Sequence, residues 1–511
     1  MTDLAVIGAG PAGLAAALAA AARGVRVTLL DSAPTAGGQF YRQPAPGLGA
    51  RRPQALHHQW RTWERLRDGL ARQTRITHLT DHHVWSVEAR STDGGFAVHA
   101  LLGPAQDHGT TLHADAVLLA TGGYEQVLPF PGWTLPGVVT AGGAQAMLKG
   151  GLVLPGRTVV VAGTGPLLLP VATGLAAAGA RVAALVESAD PRDLVRQARA
   201  DPLDLVRQAR ADPRGLVRPA LAYPRDLLRH ALALAPKAPE AAAYAAALLR
   251  HRVPVLPRHT IVAAHGRERV EAVTVGPLAG GPERRIPCDT LAVSHGMLPH
   301  TDLADALGCG LDGPYVRVDD EQRTDIPGVW AAGETTGIGG AALALAEGHI
   351  AGRSIAARLA GRKSDPGPDS WRGAARARTR MRRFTAALDR VYTPPPNWPD
   401  LVTDETVLCR CEDVTAGEVR EAVGTLGAGD LRTVKLLTRA GMGWCQGRMC
   451  AAGVAGVAGC AAEPVRRLLA RPVPLGVLAR DPDHANTPTD QNSDSGSDST
   501  PTHPRPTGEP R

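Results

Sequence analysis

The sequence contains few aromatic residues and no long apolar run. Aromatic residues make up only 4% of the chain, so the core must be built mainly from Ala, Leu and Val. No segment approaches the ~20 apolar residues that are needed to span a bilayer. No basic region or cleavage site precedes the first apolar segment, which begins at Leu4. We therefore expect a protein without a transmembrane segment that stays in the cytoplasm.

Two kinds of catalytic arrangement are also missing. Residues 1–280 contain neither Cys-x-x-Cys nor Cys-x₄-Cys, which argues against a disulfide reductase mechanism. We recognise no nucleophile–base arrangement, so the catalytic residues stay unknown. The formal charge of +7 comes mostly from scattered Arg residues without an aromatic and basic recognition module, so nucleic-acid binding is not expected.

The chain does contain two βαβ patterns. In the first, an apolar strand from residue 3 leads into a glycine turn, a helix over 11–22 and a strand over 25–30. The second repeats this order with a strand over 158–162, a helix over 167–178 and a strand over 181–187. Further apolar strands near 115–121 and 328–332 suggest that the first nucleotide-binding domain is interrupted by the second and completed after it.

The first glycine motif is Gly8-Ala-Gly10-Pro-Ala-Gly13. In such a motif the first glycine allows a tight turn, the second lets a pyrophosphate approach the backbone, and the third lets helix and strand pack closely. Asp31 ends the following strand, where a carboxylate accepts hydrogen bonds from ribose hydroxyls. Strand, motif, helix, strand and acid occur in the order that predicts a dinucleotide site.

Two later segments favour FAD at this site. The strand end at Gly122 and the segment that ends in Gly333-Glu334 resemble recurring elements of flavoproteins with two dinucleotide-binding domains. The resemblance implies that Glu334, where Asp is usual, lies beside the ribitol and pyrophosphate. We expect Gly37-Gly-Gln39 to pass near the isoalloxazine ring, where small residues fit.

The second glycine motif, Gly163-Thr-Gly165, lacks the third glycine because Leu168 occupies that position. Leu168 should hold helix and strand further apart. Glu187 closes the next strand and would favour NAD over NADP. The motif leaves three outcomes open, namely NAD, another adenine nucleotide, or a degenerate site without nicotinamide.

Four cysteines form two close pairs, Cys409 with Cys411 and Cys445 with Cys450. Two thiolate pairs can hold a [2Fe–2S] cluster, with each pair serving one iron. Tetrahedral zinc is the alternative, although zinc pairs are usually two to four residues apart. The spacing resembles the domain of bacterioferritin-associated ferredoxin, which implies a [2Fe–2S] cluster. Cys288 and Cys309 stand alone and are expected in the core.

The order of these parts resembles one family over residues 1–480. Its further motifs are Pro129-Phe-Pro-Gly-Trp133, Gly165-Pro-Leu-Leu-Leu-Pro170, Gly339-Gly-Ala341 and Glu347-Gly348. The family comprises pyridine nucleotide-disulfide oxidoreductase-like flavoproteins with a C-terminal [2Fe–2S] domain. Its members are the α-type subunits of opine oxidase, hydroxyproline dehydrogenase and hydrogen cyanide synthase. The family is also related to part of the sarcosine oxidase α subunit. The resemblance implies a second, β-type flavoprotein subunit that oxidises a C–N bond and passes electrons to this chain.

We therefore predict an α/β fold with two Rossmann-like dinucleotide-binding domains, the second inserted in the first, and a small C-terminal α-helical [2Fe–2S] domain. The predicted boundaries are 1–150 for the first part of the FAD domain, 151–300 for the inserted domain with a duplicated insertion at 189–217, 301–362 for the completion of the FAD domain, 363–402 for a linker, 403–480 for the cluster domain and 481–511 for a disordered tail. The arginine run 376–383 is expected to be a solvated helix face.

The expected function is electron transfer in an amine or amino-acid dehydrogenase or oxidase complex, with an opine, hydroxyproline, sarcosine or glycine-like substrate. A self-sufficient NAD(P)H-dependent reductase of a small acceptor is one alternative. A non-catalytic iron–sulfur carrier or sensor is the other. The sequence does not distinguish the substrates, because the substrate pocket can lie on another polypeptide.

Overall fold

The computed structural model describes residues 2–90, 94–190, 237–362, 371–461, 467 and 469–479. The predicted duplication at 189–217 lies outside these residues apart from Ala189 and Asp190. The first part of the predicted linker, 363–370, and the predicted tail, 481–511, also lie outside them.

The strands, numbered in chain order, are β1 (Thr2–Ile7), β2 (Val27–Leu30), β3 (Ile76–Leu79), β4 (His82–Ala89), β5 (Phe96–Leu102), β6 (His108–Leu119), β7 (Gly123–Glu125), β8 (Val138–Thr140), β9 (Thr158–Gly163), β10 (Arg181–Glu187), β11 (Val255–Pro257), β12 (His259–His265), β13 (Ala272–Pro277), β14 (Arg284–Pro287), β15 (Thr290–Ser294), β16 (Met297–Pro299), β17 (Leu311–Asp312), β18 (Tyr315–Val316), β19 (Val329–Ala331), β20 (Val407–Cys409) and β21 (Val414–Thr415). The α-helices are α1 (Pro11–Ala21), α2 (Trp60–Arg72), α3 (Ala141–Gly151), α4 (Leu168–Ala177), α5 (Ala238–Arg250), α6 (Asp302–Ala306), α7 (Gly340–Leu359), α8 (Arg372–Asp389), α9 (Ala416–Gly424), α10 (Leu431–Thr438), α11 (Ala451–Ala458) and α12 (Leu475–Leu478). Short 3₁₀ helices occupy Pro46–Leu48, Pro53–Leu56, Glu334–Thr336 and Trp398–Leu401.

The first sheet has seven strands in the order β3-β2-β1-β6-β5-β4, with β19 paired to the second half of β6. β1 runs parallel to β2 and β6, whereas β4 and β5 are antiparallel. The apolar residues of β1 from Leu4 to Ile7 are buried, as expected for a parallel strand covered on both faces. Because β19 returns to this sheet after residue 300, the first domain is completed only after the insertion.

The inserted domain has a parallel sheet in the order β11-β10-β9-β15-β8 and a separate antiparallel sheet, β12-β13-β14. β8 pairs with β15, and α3 packs in the same apolar core. The inserted domain therefore begins before residue 151, where we predicted its start. β8 has only three residues, which are too few to reveal a strand period in the sequence.

Helices α1 and α7 cross in direct backbone contact above the first sheet. A Cβ on Gly348 would lie 2.0 Å from the Ala12 carbonyl oxygen, and a Cβ on Gly352 would lie 2.2 Å from that of Ala16. Eight of the eleven residues of α1 are buried, and all eight are Ala, Leu or Gly. The small residues thus let the helix and sheet layers approach closely.

The predicted linker 363–402 contains a long helix. α8 packs against α7, and its inner face includes the buried residues Arg378, Met381 and Ala387. This part of the chain is therefore an ordered layer of the flavin-type domain rather than a connection. No helix in the described ranges is both long and apolar enough to cross a membrane.

The C-terminal domain consists of the β20–β21 hairpin and the helices α9, α10 and α11 around a small apolar core. It packs on the inserted domain. The Trp133 Nε1 donates to the Val407 carbonyl at 2.6 Å, and the Arg410 guanidinium lies 5.2 Å from the centre of the Trp133 ring. α11 also approaches Pro129, since a Cβ on Gly453 would lie 2.8 Å from its ring.

Candidate functional site

The first glycine loop connects β1 to α1 and has no room for side chains at two positions. Gly8 has a φ of +107°, and a Cβ there would lie 2.3 Å from the Ala120 carbonyl oxygen. A Cβ on Gly13 would lie 1.8 Å from the Gly8 carbonyl oxygen. Both positions therefore require glycine, and α1 begins with its free N–H groups directed at the loop, as in sites that bind a pyrophosphate.

Asp31 follows β2 and lies beside this loop. Its carboxylate accepts hydrogen bonds from the Ala9 N–H at 2.5 Å and from the Ala33 N–H at 2.7 Å. Burial raises the pKa of Asp31, against the effect of these two donors. The side chain remains partly exposed, so the carboxylate is oriented and still accessible to a ribose hydroxyl.

The Gly37–Gly38 turn lies against the same loop. The Gly37 N–H donates to the Ala9 carbonyl at 2.8 Å, and a Cβ on Gly38 would lie 2.9 Å from the Gly10 Cα. Gln39 follows this turn and is exposed, and its side-chain oxygen accepts from Arg42 at 2.5 Å. The structure thus brings Gly10 and the Gly37–Gln39 segment together, although they are far apart in the sequence.

Gly122 and Gly333-Glu334 follow two parallel strands that pair with each other, β6 and β19. A Cβ on Gly333 would lie 2.9 Å from the Ala12 side chain, which places this turn at the start of α1. Burial raises the pKa of the Glu334 carboxyl. The parallel strands β1, β2, β6 and β19 therefore bring Gly8, Asp31, Gly122 and Gly333 to one edge of the first sheet, and their role in FAD binding stays a prediction.

A buried acid that the sequence analysis quoted but gave no role holds the Gly333 turn. Glu347 lies on α7 and is fully buried, and its Oε2 accepts from the Gly333 N–H at 2.9 Å and the Thr336 hydroxyl at 2.8 Å. Its Oε1 accepts from the Arg382 guanidinium at 2.7 and 3.0 Å. The signal available in the sequence was that Glu347 is the only acidic residue of this helix.

The arginine run on α8 is therefore not simply a solvated face. Arg378 is buried and donates to the Asp320 carboxylate at 2.8 Å and to the Gln322 side chain at 3.2 Å. Arg382 reaches Glu347 as described above. Within this run, Arg378 and Arg382 therefore face inward, because α8 packs on α7 and on the loop before β19.

The second glycine loop resembles the first in shape, but its acidic residue, Glu187, is buried. A Cβ on Gly163 would lie 1.6 Å from the Ser294 carbonyl oxygen. Glu187 accepts from the Gly165 N–H at 3.1 Å and from the Ala189 N–H at 3.0 Å, and burial raises its pKa to about 7. Whereas Asp31 is partly exposed, Glu187 is only 7% exposed. Both carboxylates accept from two backbone N–H groups, so the difference lies in burial, which makes Glu187 less accessible to a ribose hydroxyl than Asp31 in this conformation.

Two differences accompany this burial. α4 begins at Leu168, the position of the missing third glycine, whereas α1 begins two residues before Gly13. The helix therefore starts later relative to the loop than in the first site. Tyr392, in the segment after α8, lies near the end of β10. There, burial and the charges of Glu187 and Asp190 raise its pKa to about 12.

The four paired cysteines meet between the β20–β21 hairpin and the loop before α11. The Gly441 N–H donates to the Cys409 sulfur at 3.5 Å. The Cys450 and Cys411 thiols and nearby backbone N–H groups hold the pKa of Cys445 down, to about 4. A Cβ on Gly443 would lie 2.3 Å from the Cys411 Cβ, so this position requires glycine.

The thiols differ in exposure. Cys409 and Cys450 are buried, Cys445 is partly buried and Cys411 is exposed. Two pairs, each serving one iron, are the arrangement that a [2Fe–2S] cluster uses.

The other three cysteines stand apart from these pairs. Cys288 and Cys309 are buried in the apolar cores of the inserted and first domains, as expected. Cys460 packs against the core of the cluster domain, and its sulfur donates to the Ala458 carbonyl.

Comparison with protein families finds two matches. The pyridine nucleotide-disulphide oxidoreductase model matches residues 2–201 and 227–361, and the BFD-like [2Fe-2S] binding domain matches residues 407–457. Together they cover the two dinucleotide-binding domains and the four cysteines.

Among curated proteins, the chain is similar to an opine oxidase subunit of Agrobacterium tumefaciens strain Ach5, with 32% identity over 88% of this chain and 84% of that protein. It is also similar to hydrogen cyanide synthase subunit HcnB of Pseudomonas protegens, with 31% identity over 87% of this chain and 89% of that protein. Among solved structures, L-proline dehydrogenase from P. horikoshii shares the fold, with a TM-score of 0.60 and 20% identity over 94% of this chain and 79% of that chain. The chain therefore belongs to the pyridine nucleotide-disulphide oxidoreductase family, as an FAD-dependent oxidoreductase with a C-terminal BFD-like [2Fe–2S] domain.

Proposed function

We propose that this chain is the electron-transferring subunit of a dehydrogenase or oxidase complex that acts on the C–N bond of an amine or amino acid. A second flavoprotein subunit is the proposed partner, and opines, hydroxyproline, sarcosine and glycine-like compounds are the proposed substrates. The relatives from Agrobacterium tumefaciens and Pseudomonas protegens are both named as subunits, of opine oxidase and of hydrogen cyanide synthase, which supports a complex.

The observation that carries the proposal is the position of the cysteine site. Cys411 is exposed, and the neighbouring Trp444 is 75% exposed, with Met442 and Met449 also exposed. Apolar side chains at the surface are typical of sites that contact another protein. One chain thus combines a flavin-type site with a cluster-type site whose edge faces outward.

The proposed binding residues follow from the geometry described above. For FAD they are Gly8, Gly10, Gly13, Asp31, Gln39, Gly122, Gly333 and Glu334, and for the cluster Cys409, Cys411, Cys445 and Cys450. When bound, FAD supplies two-electron chemistry and the cluster supplies one-electron chemistry. The residues of the chain orient the two groups, and we assign no acid–base residue.

The test is a visible and EPR titration of the anaerobically purified chain, alone and together with a candidate β-type flavoprotein subunit. We expect an iron-to-chain ratio of roughly 2:1. We also expect bleaching of the flavin by an amine or amino acid only when both proteins are present. A colourless chain, or a complex that no candidate amine reduces, would refute the proposal.

Two other outcomes identify the alternatives. Rapid bleaching of the isolated chain by NADH would show a self-sufficient reductase and would contradict the buried state of Glu187. A flavin that no donor reduces, with or without the partner, would leave an iron–sulfur carrier or sensor.

A further inference from the structure

Asp302 connects the first domain to the loop that carries Cys445 and Cys450. It begins α6, directly after the inserted domain ends, and its side chain is 8% exposed. One carboxylate oxygen accepts from the Arg448 Nε at 3.1 Å, and the other accepts from the Arg467 Nη1 at 2.6 Å. A single buried carboxylate therefore holds two guanidinium groups.

Both arginine side chains also donate hydrogen bonds to the backbone of the cysteine loop. Arg448 lies between the two cysteines and donates to the Cys445 carbonyl at 3.2 Å. Arg467 donates from its Nε to the Gln446 carbonyl at 2.9 Å. The position of the loop thus depends on where Asp302 places the two arginines.

On its other side, Asp302 is tied to the flavin edge of the first sheet. Its Oδ2 lies 3.4 Å from the His300 Nδ1. The His300 N–H donates to the Gly122 carbonyl at 2.9 Å, and the Thr121 hydroxyl donates to the His300 carbonyl at 2.5 Å. A short series of direct contacts therefore joins the strand end that we assign to FAD with the cysteine loop.

The charges explain why this connection should be rigid. Burial acts to raise the pKa of Asp302, but His300 and the two arginines outweigh it and hold the pKa well below its usual range. Because both arginine side chains are also largely buried, removing the carboxylate would leave two positive charges without their partner.

We propose that Asp302 is a positioning residue that sets the distance between FAD and the [2Fe–2S] cluster, and through it the rate at which electrons pass between them. The inference rests on the proposed electron-transfer function. It adds a residue that touches neither group and acts through Arg448 and Arg467.

The experiment compares Asp302→Asn and Asp302→Glu with Asp325→Asn in the full chain. Asp325 forms an exposed ion pair with Arg317 at 3.1 Å and serves as the matched control. Flavin and iron content and the melting temperature are measured first. The rate of electron transfer from photoreduced flavin to the cluster is then followed by flash photolysis at full occupancy of both groups.

We expect Asp302→Asn to keep both groups and to slow the transfer by roughly tenfold or more, because small displacements of positioned groups have large effects on rate. Asp302→Glu should restore part of the rate, and Asp325→Asn should match the wild type. If Asp302→Asn fails to fold, Arg467→Gln replaces it in the experiment. This variant removes only one of the two guanidinium groups that Asp302 binds, so it should slow the transfer by a smaller factor at full occupancy of both FAD and the cluster.

A fully loaded Asp302→Asn chain with the wild-type rate would overturn the inference, since a purely structural role lowers the melting temperature alone. An unchanged rate in Arg467→Gln would overturn it in the case where the Asn variant does not fold. If the wild-type chain itself passes no electrons between flavin and cluster, the proposed function fails, and the role of Asp302 fails with it.

Discussion

Replacing Arg382 by Ala should weaken the turn on which the proposed flavin site depends. Two N–H groups of Arg382 reach one oxygen of Glu347 at 2.7 and 3.0 Å. Loss of one partner of a buried pair costs about 3–5 kcal/mol, whereas exposed pairs contribute about 0–1 kcal/mol. Glu347 is fully buried but Arg382 is 43% exposed, so we expect an intermediate loss of about 1.5–3 kcal/mol, the range for hydrogen bonds to charged groups.

The assay is thermal unfolding of the purified chain, followed by the rise in flavin fluorescence as FAD is released. Arg383→Ala is the matched control, because Arg383 is an exposed neighbour on the same helix. We expect Arg382→Ala to release FAD several degrees below the wild type and Arg383→Ala to release it close to the wild-type temperature. Equal release temperatures for the two variants would refute the assignment of Glu347 and Arg382 to the support of the Gly333 turn.

Three further predictions concern other parts of the chain. Gly352→Ala should destabilise the chain by about 1–3 kcal/mol in urea unfolding, because its Cβ would lie 2.2 Å from the Ala16 carbonyl oxygen. Gly443→Ala should lower the iron content, measured by colorimetric iron assay, since its Cβ would overlap the Cys411 side chain, and normal iron would contradict this. Because burial raises the folded-state pKa of Glu187 to about 7, its contribution to stability is present below pH ~4.5 and is lost as the pH rises through 7. Between pH 4.5 and 7.5, the free energy of unfolding of Glu187→Gln in denaturant should therefore rise by roughly 2–3 kcal/mol relative to that of the wild type. A difference between the two proteins that does not change with pH would contradict the burial of this acid.

The local parts of the fold could be predicted from the sequence. The helix predicted over 11–22 is observed as Pro11–Ala21, and the strand predicted over 25–30 as Val27–Leu30. Both glycine loops and the return of the chain to the first sheet at β19 were also foreseen. The helices, strands and glycine loops depend on residue spacing within about 30 positions, which a single sequence displays, whereas β19 pairs with β6 across more than 200 positions and was expected from the family resemblance of its segment.

The contacts that support the sites could not be predicted in this way. Glu347 meets Arg382 across 35 positions, and Asp302 meets Arg448 and Arg467 across 146 and 165 positions. No periodic pattern connects residues that are so far apart in the chain. The arginines on α8 looked like a solvated face because charge is usually exposed, and only the packing of α8 on α7 reveals which of them face inward.

The pairing of β7 with β16 has a consequence for engineering. Gly123 lies opposite Pro299 and Glu125 opposite Met297, so the chain leaves and re-enters the first domain at adjacent positions. Replacing residues 126–296 with a two-residue reverse turn should close a hairpin and leave the first sheet continuous. Such a shortened protein would keep the yellow chromophore but lose Trp133, the anchor of the Val407 carbonyl, so its iron-bearing end would depend on contacts with the first domain such as those of Asp302 with Arg448 and Arg467.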